Sequence, residues 1–311
     1  MGKLPSQFIE RLKRIYKPSV YISVRQSFLQ KRFTTFRVNT LLVDEFQVIN
    51  SLKNQGFKLQ KASLPSHFFI LQNKSLRDLQ ETEEYKKGQI YVQGLSSGLA
   101  PEVLKPCEEE FVLDLCASPG SKTTQMSALM KGKGKIVAVE KIKPRFYKLL
   151  HNLKIQKVTN VEPLLYDGCV IFKKFGEEFD KVLVDAPCSA EARFDVSSPR
   201  TFKYWSIRKI KESQHKQKRL IIAGFKVLKK GGVLVYSTCT FAPEENEEVV
   251  EYLLSKFPQA HVEPVSINLS NVYPALNSWE SRKFSSQIKG CVRILPDKFF
   301  EGFFIAKIRK E

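Results

Sequence analysis

Cysteine and aspartate residues at the ends of predicted strands are the side chains of this sequence best suited to chemistry. Cys239 follows a short apolar run, 233–236, and precedes a glutamate-rich segment that is predicted to start a helix at Glu244. Asp185 and Cys188 belong to an Asp-Ala-Pro-Cys sequence after another apolar run. In open α/β sheets, ligands and reacting groups collect where strands end and helices begin. The pattern predicts that these three side chains face one crevice, although a buried cysteine is also a common small core residue.

This combination suits the alkylation of a pyrimidine ring. C5 of cytosine is a poor nucleophile, and a thiolate that adds to C6 creates an enamine-like C5 able to take a methyl group. A carboxyl group near N3 stabilises the charge that develops on the ring. A free thiol has a pKa of about 8.5, so the attacking cysteine must be activated by its surroundings. Spacing alone leaves open whether Cys188 or Cys239 attacks.

Three further loops at predicted strand ends indicate a ligand that carries adenosine. The loop 114–123 combines a tight Pro-Gly turn with a helix start, which presents backbone N–H groups to a ligand. It fits neither a Gly-x-Gly-x-x-Gly fingerprint nor a P-loop. Glu140, which ends the next strand, can accept hydrogen bonds from ribose hydroxyls, and Asp167, after the third strand, can reach an adenine amino group. Each acid alone is also typical of an ordinary surface.

Alternating strands and helices from Gln89 onward predict the elements that position these residues. They indicate a doubly wound, mostly parallel, Rossmann-like α/β sheet over residues 89–311. Residues 1–88 are predicted to form a small α+β module with a basic helix over about 1–32, a strand over 33–43, a helix from Asp44 and a polar connection over 72–88. The predicted strands of the larger domain are 111–115, 135–140, 161–165, 179–185, 233–236 and 302–308.

Composition limits the partners. The 51 Lys and Arg residues against 32 Asp and Glu residues give a formal net charge of +19, which favours nucleic acid, with an idle basic surface as the alternative. No apolar run approaches the ~20 residues of a membrane span, so a cytoplasmic protein without membrane contact is expected. The six cysteines are scattered, without Cys-x-x-Cys pairs, so neither a metal site nor a disulfide framework is expected.

These motifs resemble those of the Sun/RsmB/RsmF family of S-adenosylmethionine-dependent RNA cytosine-5 methyltransferases, most closely its RsmF-type members. The resemblance covers about residues 33–308 and is carried by Asp185–Cys188, Ser237–Thr240 and Pro243–Glu247. It implies that Cys239 is the nucleophile, that Cys188 helps to break the covalent adduct and that Asp185 lies between cofactor and base. The cofactor residues that the resemblance implies are Cys116, Ala117, Ser118, Pro119, Gly120, Ser121, Lys122, Glu140, Asp167 and Asp185.

Other segments match the family or depart from it. Residues 36–40 resemble its RNA-recognition-like module, and residues 293–296 resemble its Arg-x-x-Pro element. Ser121 replaces a usual glycine, and Asp297 replaces a common histidine. The segment 189–191 replaces a glycine-containing pattern, so its backbone angles are expected to differ. A monomer is expected, with no additional RNA-binding domain after the last strand.

A flipped or single-stranded cytosine is the expected target, because stacking hides both faces of the ring. Ribosomal RNA is slightly favoured over transfer RNA because residues 188–219 look closest to RsmF-type members.

The alternatives are an exocyclic-amine methyltransferase, which usually needs Asp/Asn-Pro-Pro-aromatic, and a non-catalytic ribosome-assembly factor that binds RNA and S-adenosylmethionine. DNA cytosine-5 enzymes attack with a Pro-Cys cysteine, the analogue of Cys188. The candidate RNA contacts are Arg37, Lys209, Arg219 and Arg293.

Overall fold

The computed structural model describes residues 2–311, and its amino-terminal part joins two helices to a small sheet. The predicted basic helix over about 1–32 is two helices, because a helix rarely continues through the residue before a proline and Pro18 starts the second one. The elements of this part are α1 (Ser6–Ile15), α2 (Pro18–Ser27), β1 (Thr35–Val38), α3 (Glu45–Asn54), β2 (Leu59–Lys61), β3 (Phe68–Leu71), α4 (Leu76–Gln80), α5 (Glu83–Lys86) and β4 (Ile90–Val92).

The small sheet is antiparallel, with the strand order β2-β3-β1-β4. Asp44 caps α3 as predicted, since its carboxylate accepts the N–H groups of Phe46 and Gln47. Both faces of β3 are buried: Phe69 packs into the core of this sheet, whereas Phe68 packs against the larger domain. The segment predicted as a polar connection instead contains α4 and α5, and α4 begins with a capping box.

The two parts of the chain are connected across the predicted boundary at residue 88. Strand β4, which follows that boundary, pairs with β1 of the small sheet. Helix α1, which precedes it, packs into the larger core, where the ring of Phe8 lies 4.8 Å from that of Phe194 and 5.7 Å from that of Trp205. The division at residue 88 stays a prediction, and these contacts join the helices and the small sheet firmly to the larger domain.

The larger domain has the predicted doubly wound architecture, and the fold class is confirmed. Its further elements are α6 (Leu95–Leu104), β5 (Phe111–Asp114), α7 (Ser121–Leu129), β6 (Lys135–Glu140), α8 (Lys143–Ile155), β7 (Val161–Leu165), β8 (Phe179–Asp185), α9 (Ile207–Lys226), β9 (Leu228–Thr238), α10 (Glu247–Lys256), β10 (Ala260–Glu263), β11 (Val272–Pro274), β12 (Ser278–Trp279), β13 (Arg282–Lys283), β14 (Val292–Ile294) and β15 (Phe303–Lys310).

Five strands form a parallel sheet in the order β9-β8-β5-β6-β7. β15 joins antiparallel to β9 and extends the sheet towards β14 and β11. Neighbouring residues of β5 face opposite layers: Val112 lies in the core cluster that includes residues of α6 and α7, whereas Leu113 lies in the cluster that includes residues of α9. The chain crosses from β7 to β8 over the central β5, so the switch point between β5 and β8 is where a ligand is expected.

The region between α10 and β15 was not predicted in detail. Strands β10 to β14 are two to four residues long, too short for a periodic pattern to emerge. Asp297, whose role the sequence left open, accepts the N–H groups of Phe299 and Phe300 at 2.7 and 2.6 Å and so stabilises the turn before β15. Within residues 2–311, no helix is long and apolar enough to cross a membrane.

Arg293 is a structural residue, so its prediction as an RNA contact is wrong. Its side chain is 2% exposed, and its guanidinium donates to both carboxylate oxygens of the fully buried Glu247, at 2.7 and 2.5 Å. A third bond, of 2.9 Å, goes to the carbonyl of Phe241. Glu247 also begins α10, three residues later than the predicted start at Glu244. The pair therefore joins the carboxyl-terminal strands to the segment that follows Cys239.

Replacement of Arg293 by alanine is expected to lower the free energy of unfolding by about 3–5 kcal/mol, because Glu247 would keep a buried, unpaired charge. Urea denaturation measures this change. Arg77→Ala is the matched control: Arg77 and Glu81 form an exposed pair at 3.2 Å, and its loss should cost less than about 1 kcal/mol. Equal losses for the two variants would contradict the structural role of Arg293.

Candidate active site

A pocket of about 490 Å³ opens at the carboxyl ends of β5, β8 and β9, next to the switch point of the sheet. The loops after all three strands contribute to it, as the sequence predicted for ligand-directed loops. Its lining includes Cys116, Ala117, Ser118, Pro119, Ser121, Lys122, Asp185, Cys188, Ala190, Arg193, Cys239 and Glu301. The predicted cysteines and aspartate therefore share one crevice.

Cys188 and Cys239 both line this pocket, and their Sγ atoms are 3.4 Å apart. The pKa of Cys239 is lowered by its hydrogen bond with Cys188 and by the positive charge of Arg193, while burial acts in the opposite direction. The same hydrogen bond, together with burial, raises the pKa of Cys188. This arrangement favours a thiolate at Cys239 and a neutral thiol at Cys188.

Asp185 ends β8 and is fixed by two partners. Its Oδ2 lies 2.7 Å from Nζ of Lys122, and its Oδ1 accepts a hydrogen bond of 2.8 Å from Ser237. Lys122 also donates to Oγ of Ser97, at 2.7 Å. β8 and β9 are adjacent and parallel, with Asp185 opposite Ser237, and the two cysteines follow this pair by three residues on the β8 side and two on the β9 side. The carboxylate is thus held in one orientation beside the cysteine pair.

The loop after β5 turns sharply and leads into α7. Gly120 has φ of +105°, a conformation open mainly to glycine, and precedes α7 without a side-chain cap. The first N–H groups of α7 thus point towards the pocket, where an anionic group would satisfy them. Ser121, the departure from the usual glycine, is the first residue of the helix and needs no special backbone angle. Burial raises the pKa of Cys116, which precedes this turn.

Glu140 and Asp167 lie at the ends of the next two strands, β6 and β7, along the same edge of the sheet. Glu140 is nearly buried; its carboxylate accepts the N–H of Ile142 at 2.8 Å and lies 3.4 Å from Nε of Arg145. Asp167 caps the short helix that follows it and pairs with Lys141 at 2.7 Å. Neither acid lines the pocket beside the cysteines, so their roles at ribose and adenine stay predictions.

Two buried glutamates hold the loops that carry the cysteines. Glu245 accepts the backbone N–H of Ser189 at 2.9 Å and the side-chain amide of Gln217 at 2.8 Å. Glu191 accepts hydrogen bonds from Oγ1 of Thr240 at 2.9 Å and from the indole of Trp205 at 2.8 Å. Burial raises the pKa of both carboxyl groups, that of Glu245 to about 8. Sequence analysis placed Glu245 in a helix start, whereas it lies before α10 and points inward.

The predicted RNA contacts differ in exposure. Arg37 is 2% exposed and donates to Thr124 at 2.9 Å and Gln93 at 3.3 Å, so its prediction as an RNA contact is wrong. Lys209 and Arg219 are exposed on α9, as a phosphate contact requires. Arg193, which lines the pocket, was missed because one more basic residue carries no signal in a chain this basic.

Comparison with known proteins agrees with this site. The profile of the family described as 16S rRNA methyltransferase RsmB/F matches residues 101–309. The chain belongs to this family. It is therefore an S-adenosylmethionine-dependent RNA methyltransferase, and the resemblance stated from its motifs is confirmed.

Individual relatives match almost all of the chain. A tRNA (cytosine(49)-C(5))-methyltransferase of Pyrococcus abyssi is 38% identical over 98% of this chain and 91% of its own length. The ribosomal RNA small subunit methyltransferase F of Vibrio atlanticus is 34% identical over 99% of this chain, which spans 64% of that longer protein. The crystal structure of a methyltransferase homologue from Pyrococcus horikoshii superposes with a TM-score of 0.83 at 31% identity, covering 99% of this chain and all of that one.

The backbone of residues 189–191, where the sequence departs from the family pattern, contains an unusual dihedral angle. Ala190 has φ of +55°, within the left-handed region that glycine enters without cost. An alanine therefore holds a conformation that suits glycine, and the expected difference in backbone angles from the family stays a prediction. The hydrogen bonds of Ser189 and Glu191 on either side of it stabilise that conformation.

Ala190→Gly is expected to raise the free energy of unfolding by about 0.5–1 kcal/mol, because the left-handed conformation strains an alanine but not a glycine. Ala192→Gly, two residues later with an ordinary negative φ, should instead lower it by about 1 kcal/mol through lost burial and a more flexible unfolded chain. Denaturant titrations of both variants test the sign. Destabilisation by Ala190→Gly would show that the loop is not strained.

Proposed function

We propose that this chain methylates C5 of a cytosine in RNA through a covalent bond between Sγ of Cys239 and C6 of the base. The observation that supports this most directly is the pair of thiols 3.4 Å apart, beside a fixed carboxylate, at the switch point of the sheet. Exocyclic-amine methylation requires no thiol, and a purely structural RNA-binding factor requires neither thiol nor carboxylate at this position.

The reaction begins with the thiolate of Cys239, which adds to C6 and makes C5 nucleophilic. Asp185, held by Lys122 and Ser237, stabilises the ring as charge develops near N3. When bound, S-adenosylmethionine would supply the methyl group, and its sulfonium would become a neutral thioether as that group is transferred to C5. After C5 has taken the methyl group, its proton must leave so that the bond between C6 and Cys239 can break. Cys188, next to the adduct sulfur, assists that elimination.

The residues around the pocket suit this cofactor. The uncapped start of α7 offers backbone N–H groups to a carboxylate, and the ammonium of Lys122 adds positive charge beside it. The carboxylate of Glu140 has acceptor capacity beyond its bond to Ile142 for ribose hydroxyls. The residues that would hold the cofactor are Cys116, Ala117, Ser118, Pro119, Gly120, Ser121, Lys122, Glu140, Asp167 and Asp185.

The RNA substrate has two candidates. Ribosomal RNA is the prediction from the sequence, and the Vibrio relative acts on it by name. Transfer RNA is the second candidate, because the archaeal relative is named for it, is 38% identical and has nearly the same length as this chain. In either case the cytosine must be unstacked from its neighbouring bases to reach thiols that line a pocket.

Cys239→Ala is expected to abolish methyl transfer, because no adduct can form, whereas Cys188→Ala should accumulate a covalent protein–RNA species that survives denaturation. The measurement is incubation with total RNA and radiolabelled S-adenosylmethionine, followed by nucleoside analysis and denaturing gels. The labelled RNA band also separates ribosomal from transfer RNA. Cys107→Ala, at an exposed cysteine far from the pocket, is the control.

The reverse pattern, an adduct in Cys239→Ala and none in Cys188→Ala, would exchange the roles of the two cysteines. If wild type bound the cofactor but labelled no RNA, the assembly-factor alternative would replace the catalytic proposal.

RNA binding is expected to depend on the exposed basic face of α9. The double variant Lys209→Ala with Arg219→Ala should bind bulk tRNA more weakly than wild type does. The slope of log affinity against log salt concentration should become shallower by about 1–2, as expected for two lost phosphate contacts. Fluorescence anisotropy over a salt series measures both. The double variant Lys230→Ala with Lys256→Ala removes the same charge at the opposite edge of the sheet. Equal slopes for the two double variants would rule out a specific contact on α9.

A further inference from the structure

Arg193 occupies a defined position beside the proposed nucleophile. The backbone N–H of Ala192 donates to the carbonyl of Cys239 at 3.1 Å, which places the next residue, Arg193, against the loop of Cys239. Both Arg193 and Cys239 line the pocket. The guanidinium of Arg193 makes a salt bridge with Glu301 in which Nε lies 3.5 Å from Oε2. The Arg193 side chain is 60% exposed, so its positive charge lies at the solvent-facing rim of the pocket, on the side of Cys239.

A second arginine braces this arrangement. Arg32 lies 3.5 Å from the other carboxylate oxygen of Glu301 and donates to the carbonyl of Ala192 at 2.8 Å. The hydroxyl of Ser96 donates to the backbone carbonyl of Glu301 at 2.7 Å. Since two arginines share the single negative charge of Glu301, that cluster carries a net positive charge.

The remaining charges around Cys239 nearly cancel. Asp185, the other carboxylate that lines the pocket, is paired with Lys122 at 2.7 Å, and the thiol of Cys188, whose pKa is raised, is neutral. The uncompensated charge that faces Cys239 is therefore that of the arginine cluster. A thiolate is stabilised by a positive charge within about 4–6 Å, and less strongly where solvent screens the charge.

We propose that Arg193 is the positioning residue that keeps Cys239 in its thiolate form at neutral pH, through its charge rather than through contact with the base. The inference deepens the proposed function, since it rests on Cys239 as the nucleophile. The charge of Arg193 thus activates the buried thiol of Cys239 without a neighbouring histidine. Glu301 has the opposite effect, because its carboxylate partly offsets the charge of the guanidinium.

The test uses the protein without RNA or cofactor and measures alkylation of Cys239 by iodoacetamide from about pH 5.5 to about pH 9.5, with peptide mass spectrometry to separate the cysteines. Arg193→Ala should move the midpoint for Cys239 upward by up to about one unit and slow alkylation at pH 7 by up to about fivefold, since much of the wild-type thiol is already ionised there. Arg193→Lys, which keeps the charge, should retain most of the wild-type midpoint, and Glu301→Gln should move it downward.

Arg77→Ala is the matched control, because it also removes an arginine paired with a glutamate, on the small α4 helix away from the pocket, and it should leave the midpoint unchanged. Cys291, which is fully buried, stays unmodified in each variant that remains folded. Unchanged midpoints in both Arg193→Ala and Glu301→Gln would overturn the proposal. A shifted midpoint in a protein that methylates no RNA would support the role of Arg193 and refute the proposed function instead.

Discussion

The carboxyl group of Glu245 is the contact on which the geometry of the two cysteines depends. It receives hydrogen bonds from the backbone and hydroxyl of Ser189, directly after Cys188, and from Gln217 on α9, while its own carbonyl accepts the hydroxyl of Tyr236 on β9. One residue thus joins both cysteine-bearing strand ends and the helix behind them. Because burial raises its pKa to about 8, Glu245 can stay neutral at pH 7 and share hydrogen bonds without burying a charge.

A second buried link, between Arg293 and Glu247, attaches the last strands of the chain to the same segment. Glu247 follows Glu245 by two residues, and Arg293 also donates to the carbonyl of Phe241. The glutamate-rich motif after Cys239 therefore works mainly inside the protein: its acids fix the cysteine loop from two sides. Because these acids follow directly after the strand end, they can hold the proposed nucleophile, Cys239, in a fixed position although it lies on a loop.

The side chains that line the pocket could be predicted from the sequence because their positions follow from strand ends. Apolar runs before Asp185 and Cys239 predicted parallel strands, and parallel strands bring their carboxyl ends to one edge. The same reasoning failed for Arg37, Arg293 and Glu245, since a charged residue type gives no indication of burial when its partner lies 46 or more positions away in the chain or in an unpredicted turn. The short strands between residues 260 and 294 were missed because two to four residues cannot display a period.

The sequence also could not separate the two cysteines, and the reason is electrostatic. Both follow strands and both reach the same pocket, so their difference lies in the charges that surround them. The hydrogen bond with Cys239 and burial raise the pKa of Cys188, whereas the carbonyl of Cys239 accepts the N–H of Ala192 and its sulfur lies in the field of Arg193. A proton shared between two thiols 3.4 Å apart resides on the one that is less stabilised as a thiolate by nearby positive charge, and Arg193 acts mainly on Cys239. This asymmetry supports Cys239 as the attacking thiolate and leaves Cys188 as the thiol that acts after the adduct has formed.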